Sequence, residues 1–102
     1  MSKSSEAVFV NVIEVDPNRY EQLMEILKEG NDSVIRHREG FISCLLLANA
    51  ERSRVITVTR WTSADAIKTV ASDPVVAEYI KRTAAVAKAA PAVYSVVAEY
   101  RP

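Results

Sequence analysis

The chain has few of the residues on which several classes of site depend. Its 102 residues include one cysteine, one histidine and two glycines. A single cysteine, Cys44, excludes an internal disulfide, and its position in an apolar segment predicts a buried thiol. Two glycines cannot form the Gly-x-Gly-x-x-Gly turn of a nucleotide-binding loop. The one histidine, His37, falls near a predicted helix end, where positive charge is favoured, so zinc hydrolysis and Ser-His catalysis are excluded.

An excess of charge of one sign is also missing. Thirteen Lys and Arg residues balance thirteen Asp and Glu residues, and no basic stripe argues for nucleic acid as a partner. No apolar run approaches the roughly 20 residues of a membrane span, and the polar residues 1–6 lack a signal-peptide core. We therefore expect a flexible N-terminus over residues 1–6, a single domain over residues 7–102, a cytoplasmic location and no membrane partner.

The most informative stretch runs from Gly40 to Trp61 and has the pattern of a β-hairpin. Two apolar, β-branched segments flank a polar connection at residues 49–53. In the second segment, a period of two places four side chains on one face: Val55, Thr57, Thr59 and Trp61. Two hydroxyls and an indole on an otherwise apolar surface indicate the floor of a pocket.

Strand and helix patterns alternate along the rest of the chain. Before the hairpin, the pattern predicts a strand over residues 7–15 and a helix that starts at Asp16-Pro17, weakens at Gly30-Asn31 and ends at Gly40. After the hairpin, it predicts a short helix that follows Ser63, a helix from Pro74 through the alanine-rich residues 84–90, and a strand over residues 93–100. The order β-α-β-β-α-α-β predicts an α+β, ferredoxin-like sandwich with a four-stranded antiparallel sheet.

The helices of such a sandwich cover one face of the sheet, yet the other face is predicted to be apolar too. The residues that indicate this are Val8, Val10, Val12, Ile42, Leu46, Ile56 and Val58. Because a monomer that exposes several hundred Å² of apolar surface tends to associate, we expect a homodimer with its two sheets face to face.

Asn11 interrupts an apolar strand, on the face that it shares with Phe9. A buried amide needs partners, which a neighbouring backbone or loop could supply. Trp61 could equally be a core anchor, and Tyr79 could simply pack on the inner side of the last helix. Taken together with Thr57 and Thr59, these side chains would surround a mainly apolar cavity with a few donors, the usual form of a small-molecule site.

Three segments carry a resemblance to a known family. They are the first-strand sequence Val-Asn-Val-Ile-Glu-Val at residues 10–15, the turn Glu-Gly-Phe-Ile-Ser at residues 39–43, and Arg-Trp-Thr-Ser-Ala-Asp-Ala at residues 60–66. Over about residues 7–100 the chain resembles the antibiotic biosynthesis monooxygenase (ABM) domain. The resemblance implies a dimeric α+β barrel. Glu39 departs from the family pattern, which usually has proline in a Pro-Gly-Phe turn.

One branch of that family contains cofactor-independent oxygenases that convert anthrone-type polyketides into quinones. The resemblance implies a substrate role for Trp61, which matches their strand-end tryptophan. Thr57 stands where this branch has an asparagine four residues before the tryptophan, and Ile67 stands where it has a tyrosine. Lys81 or Arg82 matches a basic residue on the last helix.

The other branch degrades heme. Asn11 matches its first-strand asparagine, whereas Val70 stands at the position of its helix tryptophan and Tyr79 at the position of its histidine ligand to iron. A tyrosinate can hold heme iron. The loss of both the tryptophan and the histidine nevertheless argues against heme oxygenation.

The resemblance and the residues together predict a cofactor-free monooxygenase that oxidises a phenolic, anthrone-like aromatic with O₂, without a metal. Asn11, Thr57 and Trp61 are the predicted catalytic residues, as donors to a substrate enolate oxygen. The predicted substrate-binding residues are Phe9, Thr59, Ile67, Tyr79 and Arg82. Three alternatives stay open: a ligand-binding or accessory dimer without chemistry, heme binding through Tyr79, and a ring-closing or isomerising activity on a polyketide.

Overall fold

The computed structural model describes residues 6–102, so the predicted flexible N-terminus lies outside the described residues except for Glu6, which pairs with Arg60. The elements are β1 Ala7–Val15, α1 Tyr20–Ser33, β2 Phe41–Ala48, β3 Arg54–Trp61, α2 Ala64–Ala71, α3 Pro74–Val86 and β4 Ala87–Ser95, with short 3₁₀ helices at Pro17–Arg19 and Ile35–His37 on either side of α1. The antiparallel sheet has the order β2-β3-β1-β4. This confirms the predicted α+β, ferredoxin-like architecture. Within these residues, no helix is both long and apolar enough to cross a membrane.

The predicted helix starts are capped by the side chains that the sequence indicates. Asp16 precedes the first 3₁₀ helix, Ser63 precedes α2 and Asp73 precedes α3. Each side-chain oxygen accepts a hydrogen bond from a backbone N–H of the first turn, at 2.8 Å from Asn18, 3.1 Å from Ala66 and 2.8 Å from Val75 respectively. These bonds satisfy donors that a helix start otherwise leaves unpaired.

The first helix passes through Gly30-Asn31, the expected weak point, but ends before its predicted end at Gly40. Helix α1 continues through both residues to Ser33, and the chain leaves the helical conformation at Val34. Gly30 is instead a site of close packing, because a Cβ atom there would lie 3.1 Å from Cδ1 of Tyr79. The glycine lets α1 approach α3, and this packing outweighs its low helix propensity.

The predicted boundary between the last helix and the last strand is also wrong. Helix α3 ends at Val86, and β4 starts at Ala87 and includes Pro91, which the sequence pattern places before the strand. Residues 87–95 pair with β1 in an unbroken antiparallel register. This pairing outweighs the helix propensity of the alanines, and Pro91 is tolerated because β4 is an edge strand.

The face predicted for β2 is wrong by one residue. An irregularity between Phe41 and Ser43 shifts the pairing with β3, so that Leu46 lies opposite Thr57 and therefore on the helix side of the sheet. A shift of one residue moves every later side chain of a strand to the other face. Leu45 and Leu47, which are 59% and 45% exposed, lie on the face away from the helices.

The helices pack on one side of the sheet, the inner face, and bury two hydrophobic clusters there. The tryptophan cluster consists of Ala7, Val34, Trp61, Ile67, Val70 and Val76. The leucine cluster consists of Ile13, Val15, Leu23, Ile26, Val55 and Val86. On the inner face between them lie Asn11, Thr57 and Thr59, which we call the polar patch. The outer face carries Val8, Val10, Val12, Leu45, Leu47, Ile56 and Val58.

Candidate active site

The strand register brings Asn11 and Thr57 side by side. In the pairing of β1 with β3, Asn11 lies directly opposite Thr57, Phe9 opposite Thr59, and Ala7 opposite Trp61. Directly opposed residues of an antiparallel pair have Cβ atoms about 4.5–5.5 Å apart. Trp61 lies on the same face, four residues or about 13 Å further along β3 than Thr57. The predicted common face of Val55, Thr57, Thr59 and Trp61 is confirmed, since all four are buried.

The side chain of Asn11 is the most unusual group in the polar patch. Its Oδ1 atom is buried, yet it has no hydrogen-bond partner among residues 6–102. The backbone or loop partner considered from the sequence is therefore not seen for this atom. A buried acceptor without a partner is uncommon and calls for an explanation, of which a missing ligand is one.

Trp61 ends β3 in the middle of the tryptophan cluster. It is 3% exposed, and its ring meets the ring of Phe41 edge to face, with centroids 5.5 Å apart and an interplanar angle of 88°. Ile67, predicted to bind substrate, is buried in the same cluster, and the half-buried ring of Phe9 packs against it. The indole therefore forms part of an aromatic wall at one end of the polar patch.

Thr59 connects the polar patch to the edge strand. It is buried, and its hydroxyl donates to Sγ of Cys44 at 3.8 Å. Burial raises the pKa of the Cys44 thiol, and the bond from Thr59 offsets only part of this effect. The buried thiol expected from the sequence is therefore half-buried and held in its protonated form.

Tyr79 lies between the two clusters, but its hydroxyl points away from the polar patch. The ring packs against both clusters, and the hydroxyl donates to Oε2 of Glu29 at 2.9 Å on the protein surface. Arg82 stacks over the ring, 5.0 Å from its centroid, and lies 3.5 Å from Oε1 of Glu29. The bond to Glu29 raises the pKa of Tyr79 and lowers the pKa of the Glu29 carboxyl. A neutral phenol held in this way does not fit the role of a tyrosinate ligand to heme iron.

The imidazole and the carboxylates other than that of Glu29 also lie away from the polar patch. His37 is exposed, and its Nε2 atom lies 3.1 Å from the backbone oxygen of Asp32, in keeping with a structural role. In residues 6–102 every carboxylate is exposed except those of Glu6 and Asp73, which pair with Arg60 and Arg38. Across the same described residues, no cluster of three or more His, Cys, Asp or Glu side chains could hold a metal ion.

Two contacts of the predicted site residues were not foreseen from the sequence. Glu29, the partner of Tyr79 and Arg82, gives no signal because it is one of several exposed acids on α1. Thr83 belongs to the predicted inner stripe of α3; it is buried, and its hydroxyl donates to the backbone oxygen of Tyr79 at 2.9 Å. A threonine in an apolar helical stripe is the signal that could have pointed to a polar layer here.

Two surface depressions lie elsewhere on the molecule. One, of about 510 Å³, is lined by Glu14, Val15, Asp16, Ser53, Arg54 and Lys88 at one end of the sheet. The other, of about 370 Å³, lies on α1. Neither includes a residue of the polar patch.

The sequence of the chain matches the family model described as antibiotic biosynthesis monooxygenase over residues 7–82. No curated protein sequence matches the chain.

Several solved structures share the fold. One is a monooxygenase from the gene ActVA-Orf6 of Streptomyces coelicolor in complex with the ligand nanaomycin D, with 21% identity, a TM-score of 0.85, and coverage of 99% of this chain and 96% of that chain. Another is SnoaB, a cofactor-independent oxygenase from Streptomyces nogalater, with 17% identity, a TM-score of 0.74, and coverage of 93% and 96%. A third is Rv0793 from Mycobacterium tuberculosis, with 17% identity, a TM-score of 0.83, and coverage of 95% and 100%. At these identities the likeness shows the fold alone.

Proposed function

Because the chain belongs to the antibiotic biosynthesis monooxygenase family, we propose that it is a cofactor-independent monooxygenase acting on a phenolic, anthrone-like polyketide. The observation that carries this proposal is the polar patch. A buried amide oxygen without a partner and two buried threonines lie between two hydrophobic clusters, with an aromatic wall at one end. A flat apolar substrate with few polar groups has the chemistry that matches such surroundings.

The proposed reaction converts the methylene carbon of the substrate into a carbonyl. Loss of one methylene proton gives an electron-rich carbanion. Its charge is shared with the oxygen of the carbonyl group across the central ring, as an enolate. One electron passes from the carbanion to O₂, and the two radicals combine into a peroxide at that carbon. Departure of water then leaves the carbonyl, so that one oxygen atom of O₂ enters the product and the other leaves with the two methylene hydrogens. No reductant or metal is needed for this balance.

In this proposal, the protein's part is to stabilise the enolate in a dry space. The amide N–H of Asn11, the hydroxyl of Thr57 and the indole N–H of Trp61 are the proposed donors to the enolate oxygen. Phe9, Ile67 and the ring of Tyr79 supply apolar contacts, and Thr59 adds a polar edge.

The same proposal assigns proton removal to the substrate itself. The carboxylates are exposed or paired with arginine, and Tyr79 has a raised pKa and bonds to Glu29. A phenolate on the substrate is therefore the better candidate for the base. SnoaB, described as a cofactor-independent oxygenase, and the ActVA-Orf6 monooxygenase with its small-molecule ligand are relatives in fold that support a cofactor-free reaction on a small molecule.

The test is oxygen uptake by the purified protein with anthrone, in chelator-treated buffer without added flavin or metal. Spontaneous oxidation is measured without protein and subtracted. We expect protein-dependent uptake that falls by at least about tenfold in Trp61→Phe and Asn11→Ala, because one donor hydrogen bond to a charged oxygen contributes about 1.5–3 kcal/mol.

The matched control is Phe41→Leu, which changes the aromatic neighbour of Trp61 but removes no donor. Its uptake should stay within about threefold of the wild-type rate. Uptake no faster than the blank, with anthrone and with a hydroxylated anthrone, would contradict the proposed activity. Equal rates in the wild type and both donor variants would contradict the assigned roles.

We also propose that the protein is a homodimer whose copies meet at the outer face. The apolar side chains of β1, β2 and β3 on this face are left uncovered by the helices, and exposed Tyr94 extends the surface onto β4. We expect Val10→Asp, at the centre of this face, to convert the dimer into a monomer, because an unpaired charge costs several kcal/mol on burial. Sedimentation velocity measures the change.

The control for the dimer test is Val75→Asp, at an exposed valine on α3. It should leave the dimer intact. A wild-type protein that sediments as a monomer at micromolar concentration would contradict the proposed assembly.

A second candidate function is ligand binding without chemistry. It is favoured by one observation: the carboxylates and the imidazole of residues 6–102 are exposed or paired with arginine, so the patch has no evident protein base. In that case anthrone or its quinone would raise the melting temperature of the protein, while oxygen uptake would stay at the blank rate.

A further inference from the structure

Asn11 has an unused hydrogen-bond acceptor in the interior of the domain. Its Oδ1 atom is buried without a partner among the residues that the structure describes. A buried acceptor costs stability as long as no donor reaches it. A group of this kind is explained if its partner arrives with a ligand.

Thr57, the hydroxyl directly opposite Asn11, makes no hydrogen bond to its Oδ1 atom, and three other hydroxyls of the helix side bond elsewhere. Thr59 donates to Sγ of Cys44, and Thr83 donates to the backbone oxygen of Tyr79. The hydroxyl of Tyr79 donates to Glu29 on the surface. Pro91, which lies opposite Asn11 on β4, has no N–H to offer. These hydroxyls therefore leave the Oδ1 atom of Asn11 without a donor among residues 6–102.

The position of Asn11 also fixes what else a ligand would meet. Asn11 lies opposite Thr57 on one side and Pro91 on the other, with Phe9 and Ile13 flanking it on the inner face of β1. These flanking groups are apolar apart from one hydroxyl. A ligand there would offer an apolar body and one polar group aimed at the amide.

We propose that Asn11 is a specificity-determining residue that accepts a hydrogen bond from a hydroxyl group on an aromatic ligand. The inference rests on the proposed function in taking the ligand to be a flat aromatic, and it adds that the ligand carries a free hydroxyl donor at the edge facing Asn11. The amide N–H keeps its proposed role toward the enolate, while the amide oxygen selects the substrate. A ligand with an ether at that edge would leave the acceptor unpaired and add a second acceptor beside it.

The first test measures the stability of the protein without ligand. Asn11→Leu has a similar volume and removes the unpaired acceptor, so we expect its melting temperature to rise by about 4 °C or more. Asn11→Ala serves as a second variant if leucine does not fit. Its loss of stability should be smaller than the loss that truncation of a buried side chain of this size to alanine normally causes. The matched control is Thr83→Val, which removes a buried hydroxyl that has its partner and should not raise the melting temperature. A lower melting temperature in Asn11→Leu, with Thr83→Val unchanged, would mean that the amide is a structural group and would overturn the proposal.

The second test compares two ligands that differ in one group. 2-Hydroxyanthraquinone and 2-methoxyanthraquinone share the ring system, and only the first can donate. Binding is followed by quenching of tryptophan fluorescence, which reports on Trp61 because it is the only tryptophan. We expect the wild-type protein to bind the hydroxyl compound at least about tenfold more tightly, and Asn11→Leu to bind the two within about twofold of each other.

The outcomes of the ligand test separate this inference from the proposed function. A preference for the hydroxyl compound that disappears in Asn11→Leu supports the inference, even if oxygen uptake is absent, in which case the monooxygenase alone fails. The same preference in both proteins, or no preference in the wild type, including no binding of either compound, overturns the inference, even if oxygen uptake is present.

Discussion

The two hydrophobic clusters on the inner face differ in how completely they exclude solvent. In the leucine cluster, Ile13, Leu23 and Val55 are 0% exposed and the other three members 6–8%, whereas every member of the tryptophan cluster keeps between 3% and 9% of its surface exposed. The first is a closed core between the middle strands and helices α1 and α3. The second contains Trp61 and adjoins half-buried aromatic rings. The difference shows that the most completely buried side chains lie in one cluster, whereas the aromatic wall of the candidate site lies in the other.

The tryptophan cluster is covered by two capped helices, one of which, α3, also contributes Val86 to the leucine cluster. Ser63 and Asp73 cap the two helices that cover it, and Gly40 has a φ of 92° beside the Trp61 ring. We therefore expect substitutions in the two clusters to separate stability from activity.

The largest effect on stability is expected from Leu23→Ala in the leucine cluster. Removing a fully buried leucine side chain leaves a cavity and should lower the free energy of unfolding by about 2–5 kcal/mol. Urea denaturation measures the loss. Ligand affinity of the folded protein should be unchanged, because Leu23 does not pack against the tryptophan cluster. The control is Val75→Ala at an exposed position, with a loss within about 0.5 kcal/mol.

A fall in the ligand affinity of folded Leu23→Ala that matched the effect of Trp61→Phe would break the comparison. It would show that the two clusters act as a single unit.

An intermediate effect is expected from Gly40→Ala at the edge of the tryptophan cluster. A Cβ atom at this position would lie 2.6 Å from Cβ of Ala66, and the positive φ is unfavourable for alanine. The loss should be about 1–3 kcal/mol, and here the ligand affinity should fall as well. The double variant Gly40→Ala/Ala66→Gly removes the clash but not the backbone strain, so it should recover part of the loss. No recovery in urea denaturation relative to the summed losses of the two single variants would mean that the backbone strain accounts for the whole effect, since Ala66→Gly by itself weakens α2.

The smallest effect is expected from Asp73→Ala at the start of α3. The backbone N–H of Val75 holds the pKa of Asp73 below its ordinary value, and Arg38, 2.8 Å away, acts in the same direction. Because the pKa is lower in the folded state, the carboxylate stabilises the protein above its unfolded-state pKa of about 3.9, and this contribution is lost as the pH falls through the folded-state value. Asp73→Ala should therefore lower the melting temperature at neutral pH but not at strongly acidic pH.

Asp73→Asn is the matched control for that prediction, because asparagine keeps the cap but not the charge. It should recover only part of the melting temperature at neutral pH, because the cap acceptor is kept but the charge that faces Arg38 is lost. A difference between the wild type and Asp73→Ala that stays constant down to strongly acidic pH would contradict the role of the carboxylate.

Much of the fold could be predicted because it depends on local signals. The alternation in β3 and the caps at Asp16, Ser63 and Asp73 each depend on a few neighbouring residues. The errors arose where distant pairing decides. The alanines before Pro91 favour a helix locally, yet pairing with β1 makes them a strand. The irregularity after Phe41, which reverses the face of Leu46, has no sequence signal of its own.

The candidate site was predictable as a set of residues but not as an arrangement. The pattern of β3 alone places Thr57 and Trp61 on one face. That Asn11 lies opposite Thr57 follows from the register of two strands about 40 residues apart, which the alternation pattern does not determine. The outward direction of the Tyr79 hydroxyl depends on Glu29 of another helix. Both features depend on tertiary contacts.

Pro91 in the middle of β4 has a consequence for how the protein behaves at high concentration. The exposed edge of a sheet can pair with the edge of another molecule and start an aggregate. A proline interrupts the row of N–H donors on such an edge, so a foreign strand cannot pair along the whole of β4. The free edge on this side of the sheet is therefore protected against growth into fibrils by one residue, which also ends the run of alanines that would otherwise make a long, flat template.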